Sequence, residues 1–214
     1  MATPLPHLAA GLRAGRLSIL AVGSARSFMQ PQRGPSSAPD IPWQMAQALK
    51  SAYPGLQISL TGRGGRGLTA SDMVRIIRAE LRARPYQLVL WQTGTVEAVR
   101  NIQPDDFTDS LLQGIDAVGA RGADLVFIDQ QYSRFLEGNT DLDPYRRALE
   151  RVATWPGVAL FRRFALMRNW SSNGRLDLEL AAPGARRALV ARLHTCLGVL
   201  LARFIVTGAE ASHP

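Results

Sequence analysis

The chain has 214 residues, of which 46% are apolar and 20% charged. This composition excludes a disordered chain, and the length suffices for a full hydrophobic core. A formal net charge of +8 would ordinarily indicate a polyanionic partner. However, Lys50 is the only lysine, and the arginines are scattered along the chain rather than clustered. We attribute the charge to a general preference for arginine and expect no nucleic-acid partner.

The cysteine and hydropathy patterns exclude further classes of protein. A single cysteine, Cys196, allows no intrachain disulfide and no metal site built on paired cysteines. The first 20 residues lack the uninterrupted apolar core of a signal peptide. The most apolar segment, 193–206, is interrupted by Arg203, so we expect no membrane span.

Short apolar runs alternate with longer segments of helical periodicity. The runs predict strands at 17–23, 56–60, 87–92, 124–129 and 157–161. The segments between them predict helices at 42–52, 71–84, 105–120, 143–153 and 184–205. This alternation predicts an α/β fold: a three-layer, doubly wound (flavodoxin-like) parallel sheet of about five strands with helices on both faces. We expect a single domain over 1–214, with its core at about 17–205 and a tail at 206–214.

The segment Thr61–Asp72, TGRGGRGLTASD, allows several interpretations. Its GxGxxG pattern follows the second predicted strand and has no acidic residue about 20 positions later, which argues against a dinucleotide site. Its arginines and glycines form one compact cluster before a helix that Thr69 and Asp72 cap, which argues against a repetitive RNA-binding tract. A glycine-rich turn that only needs positive φ angles remains an alternative.

The ends of the predicted strands favour another interpretation. Ligands of parallel doubly wound sheets bind outside the carboxyl ends of the strands, an edge that we call the rim. Four predicted strands lead into glycine, hydroxyl and amide groups: VGSARS, TGRGGRGLT, WQTGT and DQQYS. Such groups can surround a nucleophile with hydrogen-bond donors, as acyl transfer requires. Gln92, Gln131 and Tyr132 are therefore candidate ligand-contacting residues.

At these residues the chain resembles the SGNH/GDSL hydrolases. Four segments carry the resemblance: Gly23-Ser24, Gly64-x-x-Gly67-x-Thr69, Gly94-Thr95 after Trp91, and Asp177 before the last helix. A bacterial subgroup of largely exported SGNH-like proteins is similar over further motifs: WQTGT at 91–95, QYS at 131–133, RFAxMRxW at 163–170 and HxCLG at 194–198. The resemblance spans 17 to about 205.

The chain also departs from the family's pattern. Ser24 stands where the family has Asp and Ala25 where it has the nucleophilic Ser, so Ser24 and Ser27 are both candidate nucleophiles. Val96 replaces an oxyanion-stabilising Asn, and Leu180 replaces the basic His. The internal histidine, His194, is a candidate base. If the last helix starts near Gly184, His194 lies about 15 Å below the rim, and a histidine that merely packs there is the alternative.

The resemblance implies an ester hydrolase, with a carbohydrate O-acetyl esterase as one form of it, and implies no metal and no organic cofactor. Ser24 or Ser27 would attack the ester, Gly67, Gly94 and Thr95 would help to hold the oxyanion, and Asp177 with His194 would form the base pair. A catalytically degenerate relative that binds a glycan, an acyl group or a protein is the alternative function, and an arginine-rich protein that binds polyanions is a third. The subgroup implies a periplasmic or secreted protein if a leader has been removed, and otherwise a cytoplasmic one. The sequence leaves the oligomeric state open.

Overall fold

The computed structural model describes residues 2–24, 40–182 and 184–212. Its strands are β1 (Arg16–Gly23), β2 (Gln57–Gly64), β3 (Leu88–Gln92), β4 (Asp124–Ile128) and β5 (Val158–Phe161). Its helices are α1 (Pro6–Arg13), α2 (Ile41–Ala52), α3 (Ala70–Ala83), α4 (Thr95–Val99), α5 (Pro104–Gly119), α6 (Arg134–Asn139), α7 (Asp143–Val152), α8 (Arg163–Ser172) and α9 (Arg186–Glu210).

All five strands pair in parallel, in the order β2-β1-β3-β4-β5. Gly23 at the end of β1 aligns with Gly64 at the end of β2 and with Gln92 at the end of β3. The three strands therefore end at one level of the rim. The chain order reverses direction at β1, whose neighbours are β2 and β3, and such a switch point is where doubly wound sheets form a binding crevice.

Helices cover both faces of the sheet, which confirms the predicted three-layer fold. One hydrophobic cluster joins the sheet to α1, α2 and α9, and a second joins it to α3, α5 and α7. Helix α8 follows the edge strand β5 and contributes Phe164 to one cluster and Met167 to the other. Strands β3 and β4 are buried along their whole length, which explains why they are almost continuously apolar in sequence.

Local sequence signals set the beginnings of several helices. Thr69 and Asp72 form the predicted capping box of α3, in which each side chain accepts a hydrogen bond from the other residue's backbone N–H. Proline stands in the first turn of α1, α2, α5 and α7, where its missing N–H costs no helical hydrogen bond. The five predicted helices agree with α2, α3, α5, α7 and α9 to within a few residues, although α9 starts at 186 and continues to 210.

Helix α9 is long and apolar enough to cross a membrane by length and composition, with a mean hydropathy of 1.8. The interruption at Arg203 therefore does not exclude a span by length and composition, and the expectation of no membrane span stays a prediction. In the folded chain, Leu197, Leu201 and Ile205 of α9 lie in the core, and Gly198 packs directly against Gln44 and Met45 of α2. This packing accounts for the apolar residues on the buried side of the helix.

We predict that Gly114→Ala in α5 destabilises the protein, although alanine is the better helix former. A methyl group at position 114 would lie 2.2 Å from the buried ring of Trp91, so either α5 or this ring must shift. We expect a loss of about 1–3 kcal/mol in the free energy of unfolding, measured by urea denaturation.

Gly119, at the end of the same helix, is the matched control because nothing lies within 4 Å of a methyl group built there. Gly119→Ala should leave stability unchanged or raise it by up to about 1 kcal/mol. Equal effects of the two substitutions would contradict the tight packing of α5 on β3.

Candidate active site at the rim

A cavity of about 540 Å³ opens at the rim, and every strand of the sheet contributes to its wall. Ser24 follows β1, Gly67 follows β2, Gln92 ends β3, Gln131 follows β4 and Arg163 follows β5. Arg66, Thr95, Val96, Val99 and Arg100 complete the lining. We call this space the rim cavity. Five residues that the sequence nominated from four strand ends thus meet in one place: Ser24, Gly67, Gln92, Thr95 and Gln131.

Ser24 lies at the switch point, one residue beyond β1. Its Oγ donates a hydrogen bond of 3.4 Å to Oε1 of Gln92, at the end of the neighbouring strand β3. A bond of this length leaves the hydroxyl free to turn toward a ligand in the cavity. The second candidate nucleophile, Ser27, lies outside the described residues.

The glycine-rich loop after β2 brings backbone rather than side chain to the cavity. Gly67 has a φ of +79°, a conformation that only glycine adopts without strain. A methyl group at this position would also lie 3.0 Å from Nη2 of Arg100. The loop therefore presents a bare peptide unit, with the Arg100 guanidinium beside it.

The loop after β3 also needs a glycine, at position 94. Gly94 caps α4 with a φ of +96°. A side chain there would lie 2.4 Å from Nε2 of Gln130, which is fully buried. Thr95 follows and lines the cavity, and its enclosed Oγ1 has no hydrogen-bond partner among the described residues. Thr95 therefore carries an unused donor at the cavity wall. The next residue, Val96, presents an apolar side chain there.

One buried carboxylate joins these two loops. Glu97 is 1% exposed; its Oε2 accepts from the Gly94 N–H at 2.9 Å, and its Oε1 accepts from the Ala70 N–H at the start of α3. Burial raises the pKa of Glu97, and the hydrogen bonds from these backbone groups oppose that rise. Sequence reasoning missed this residue, because its position in α4 gives no sign of the loop that it reaches.

A second, smaller cavity of about 320 Å³ adjoins the first and shares Gln131 with it. Tyr132, Phe135, Met167, Leu176 and Asp177 are among its lining residues. Phe135 is 71% exposed, an unusual position for an aromatic ring unless it forms part of a contact surface. We call this space the side cavity. Two nominated residues, Tyr132 and Asp177, lie here and not in the rim cavity.

Asp177 is fully engaged by other groups. Its carboxylate receives both terminal nitrogens of Arg134, the Ser171 hydroxyl at 3.2 Å and the backbone N–H groups of Glu179 and Leu180 at 3.1 Å. Burial alone would raise the pKa of Asp177, but the Arg134 and backbone hydrogen bonds outweigh it and lower the pKa. The carboxylate therefore anchors α6 to the segment before α9.

His194 lies on α9 and lines neither the rim cavity nor the side cavity. It is eight residues beyond Arg186, which lines the side cavity, and so about 12 Å further along the helix axis. Gly198, one turn later, packs against Gln44 and Met45. His194 therefore lies one turn before a close contact between α9 and α2.

Arg163 is one of three arginines of the rim cavity that sequence reasoning did not nominate. It is 3% exposed, and its enclosed Nε has no hydrogen-bond partner among the described residues. Burial lowers the pKa of Arg163 to about 10, while the charge of Asp129 opposes the shift. The guanidinium therefore stays charged at neutral pH. Asp129 itself accepts from the Phe164 N–H at 2.8 Å, and burial raises the pKa of this carboxyl to about 6.

A larger cavity of about 760 Å³ lies at the opposite edge of the sheet, lined by His7, Arg16, Ser18 and Gln87 among others. It lies at the amino ends of the strands, away from the switch point, so the rim cavity is the better candidate despite its smaller volume. No group of three or more His, Cys, Asp or Glu side chains within 2–24, 40–182 and 184–212 could hold a metal ion.

A family model matches almost the whole chain. The model of the Non-GDSL lipase-like family matches residues 1–211, which confirms the expected resemblance to the SGNH/GDSL hydrolases. Among curated protein sequences no significant match is found.

Solved structures similar to this chain share its fold at low identity. An acetylxylan esterase, Axe2, from Geobacillus stearothermophilus has a TM-score of 0.62 and 15% identity, covering 90% of this chain and 94% of that one. A two-domain esterase active on acetylated mannans (CEX) has a TM-score of 0.66 and 14% identity, covering 100% of this chain and 56% of that one. TesA has a TM-score of 0.62 and 17% identity, covering 92% and 99%.

We predict that Glu97→Gln destabilises the protein by about 1–3 kcal/mol, since an amide supplies one acceptor oxygen where the carboxylate supplies two, and its NH2 group would face a buried N–H. Urea denaturation measures the loss. Glu137→Gln is the control: Glu137 pairs with Arg168 at the surface, and its substitution should change stability by less than about 0.5 kcal/mol. A loss at Glu97 no larger than at Glu137 would contradict the role of the buried bridge.

Proposed function

The chain belongs to the Non-GDSL lipase-like family, and from this premise we propose that it hydrolyses carboxylic esters in the rim cavity, with Ser24 as the nucleophile. One observation carries the proposal: Ser24 stands at the switch point of the sheet, in a cavity that receives a residue from the end of every strand. Convergence of this kind at the carboxyl edge is the general arrangement of ligand sites in such folds.

In the proposed reaction, Ser24 Oγ attacks the ester carbonyl carbon as its proton passes to a base. The tetrahedral intermediate then collapses: the bond to the alcohol oxygen breaks, the alcohol takes up the proton, and an acyl-Ser24 ester remains. Water attacks this ester in the same way, which releases the carboxylic acid and restores the hydroxyl. The Ser24–Gln92 hydrogen bond orients the hydroxyl, but a neutral amide cannot take its proton.

The two rim loops are suited to hold the negative oxygen of the intermediate. The peptide N–H of Gly67 and the unused Oγ1 donor of Thr95 are the proposed contacts, with Gly94 setting the turn that positions Thr95. Donors fixed in advance toward developing charge are typically worth about 3 kcal/mol each in acyl transfer. Glu97 is the proposed positioning residue, because it fixes both loops from below.

We assign the base to His194 alone. Asp177 is engaged by Arg134 and belongs to the side cavity, so the expected Asp177–His194 pair is not part of the proposal. His194 lies on α9, the helix that packs against α2.

Acetylated glycans are the proposed substrates. The names of Axe2 and of the two-domain esterase describe enzymes that act on acetylated xylan and acetylated mannans. The side cavity supports the same choice here, because Phe135 and Tyr132 give aromatic surface on which a sugar ring can pack next to Gln131. Export to the periplasm or beyond stays a prediction.

A second function, binding of a glycan ester without turnover, is favoured by one observation. The described residues that line the rim cavity include no histidine and no carboxylate, and a serine hydroxyl without a base is a poor nucleophile. The following variants separate the two functions.

We predict that Ser24→Ala lowers kcat/KM for p-nitrophenyl acetate and for acetylated xylo-oligosaccharides by at least about a thousandfold, because the attacking oxygen is lost. Ser18→Ala is the control: Ser18 belongs to the same strand but lines the cavity at the opposite edge, and its activity should equal that of the wild type. Full activity of Ser24→Ala would remove Ser24 from the reaction.

We further predict that His194→Gln lowers kcat by at least about a hundredfold, since an amide cannot accept the serine proton. Thr195→Ala, at the exposed neighbouring position of α9, is the control and should retain activity. If His194→Gln turns over normally, another group is the base; if wild-type protein binds acetylated oligosaccharides but hydrolyses none, the binding function is the correct one.

A further inference from the structure

Three guanidinium groups line the rim cavity, and they come from distant parts of the chain. Arg66 precedes Gly67 in the loop after β2, Arg100 follows α4, and Arg163 begins α8. In the described part of the chain, none of the three lies within 4 Å of a carboxylate, whereas seven other arginines form ion pairs: Arg63, Arg75, Arg84, Arg134, Arg146, Arg162 and Arg168. The charges of Asp72 and Glu97 act on Arg100, and that of Asp129 acts on Arg163. No carboxylate among the described residues lines the cavity itself, so its wall is cationic.

Arg163 distinguishes this set from ordinary surface charge. Arg66 and Arg100 are exposed, and exposed arginines need no explanation. Arg163 is 3% exposed, lines the cavity, and has an enclosed Nε without a described partner. A buried charge is costly unless it is paired and hydrogen-bonded. Asp129 is the acid whose charge acts on it, but that carboxylate accepts the backbone N–H of Phe164. The protein therefore keeps an incompletely compensated cation at the cavity wall.

The position of Arg100 connects this charge to the ester site. Its Nη2 lies where a methyl group on Gly67 would meet it at 3.0 Å, so the guanidinium lies against the loop that is proposed to hold the oxyanion. Ser24 lies in the same cavity. The arginines and Ser24 are therefore close enough for one ligand to contact both. Such a ligand would carry the anionic group and the ester on the same molecule.

We propose that the rim cavity selects esters whose alcohol or acyl part carries an oxyanion, either a carboxylate, as in an acetylated uronic acid, or a phosphate. Both groups fit the planar fork of a guanidinium, which binds two of their oxygens at once. Arg163 is the proposed anchor, and Arg66 and Arg100 close on the anion from the mouth of the cavity. This inference rests on the proposed function for the ester, but the anion site itself can be tested without turnover.

The test is calorimetric titration of the full chain with D-glucuronate, D-glucose 6-phosphate and neutral D-glucose, at low and high salt. We expect at least one of the two anions to bind at least tenfold more tightly than glucose, and to lose affinity as salt increases. The preferred anion identifies its source, carboxylate or phosphate. Equal affinity for all three sugars, or no binding of either anion, would overturn the proposal. These ligands contain no ester, so a failure of hydrolysis leaves the result standing.

Variants then locate the site. Arg163→Gln should reduce the affinity for the preferred anion at least tenfold, and Arg66→Gln and Arg100→Gln severalfold each. The control is Arg121→Gln, at an exposed arginine beyond α5 that lines no part of the rim cavity, and it should bind as the wild type does. Arg163→Gln alters a buried group and can prevent folding. In that case the variants of the exposed Arg66 and Arg100 test whether the anion binds in the rim cavity. Unchanged affinity in both exposed variants would overturn the assignment.

Discussion

Parallel pairing at a common level is the constraint on which the rest of the molecule depends. Gly23, Gly64 and Gln92 align across three neighbouring strands, so the loops that follow must meet at one edge. The reversal of strand order beside β1 separates the helices that leave this edge and opens the rim cavity between the loops. Each chemical group discussed here owes its position to that register. A shift of one residue in β1 would turn Ser24 toward the opposite face of the sheet.

The rim loops are held by polar groups that are themselves buried. Glu97 ties the loop after β3 to the start of α3, and Asp129 holds the start of α8 through the N–H of Phe164. Burial removes both carboxyls from water and raises the pKa of each. Their hydrogen bonds fix the backbone around the cavity. Hydrogen-bond donors that are fixed in position are what catalysis by electrostatic stabilisation requires.

The sequence predicted the sheet and the long helices because their signals are periodic and local. Strands β3 and β4 are buried on both faces and therefore appear in the sequence as apolar runs. The capping box of α3 is visible in the sequence as Thr69 and Asp72. Helices α4 and α6 were missed because five or six residues show too little periodicity to detect. Helices α1 and α8 were missed as well, since only three and four of their residues are buried.

The site was predicted only in part, and the failures have a physical reason. Backbone and side-chain groups at strand ends could be nominated, because topology brings strand ends together. Arg66, Arg100 and Arg163 looked scattered, since their sequence separation hides their convergence in space. Asp177 was expected from the family pattern and His194 as the internal histidine. Asp177 binds Arg134 in this structure, and the catalytic role of each residue stays a prediction.

Labelling with a fluorophosphonate, followed by trypsin digestion and mass spectrometry, tests the central claim most directly. Cleavage after Arg16, Arg26 and Arg33 separates Ser24, on the peptide 17–26, from Ser27, on the peptide 27–33. Our account predicts a covalent adduct on Ser24 within 17–26, suppressed by prior incubation with an acetylated oligosaccharide. An adduct on 27–33 would contradict the choice of nucleophile. The absence of any adduct under conditions that label a known serine esterase would contradict ester hydrolysis by this cavity.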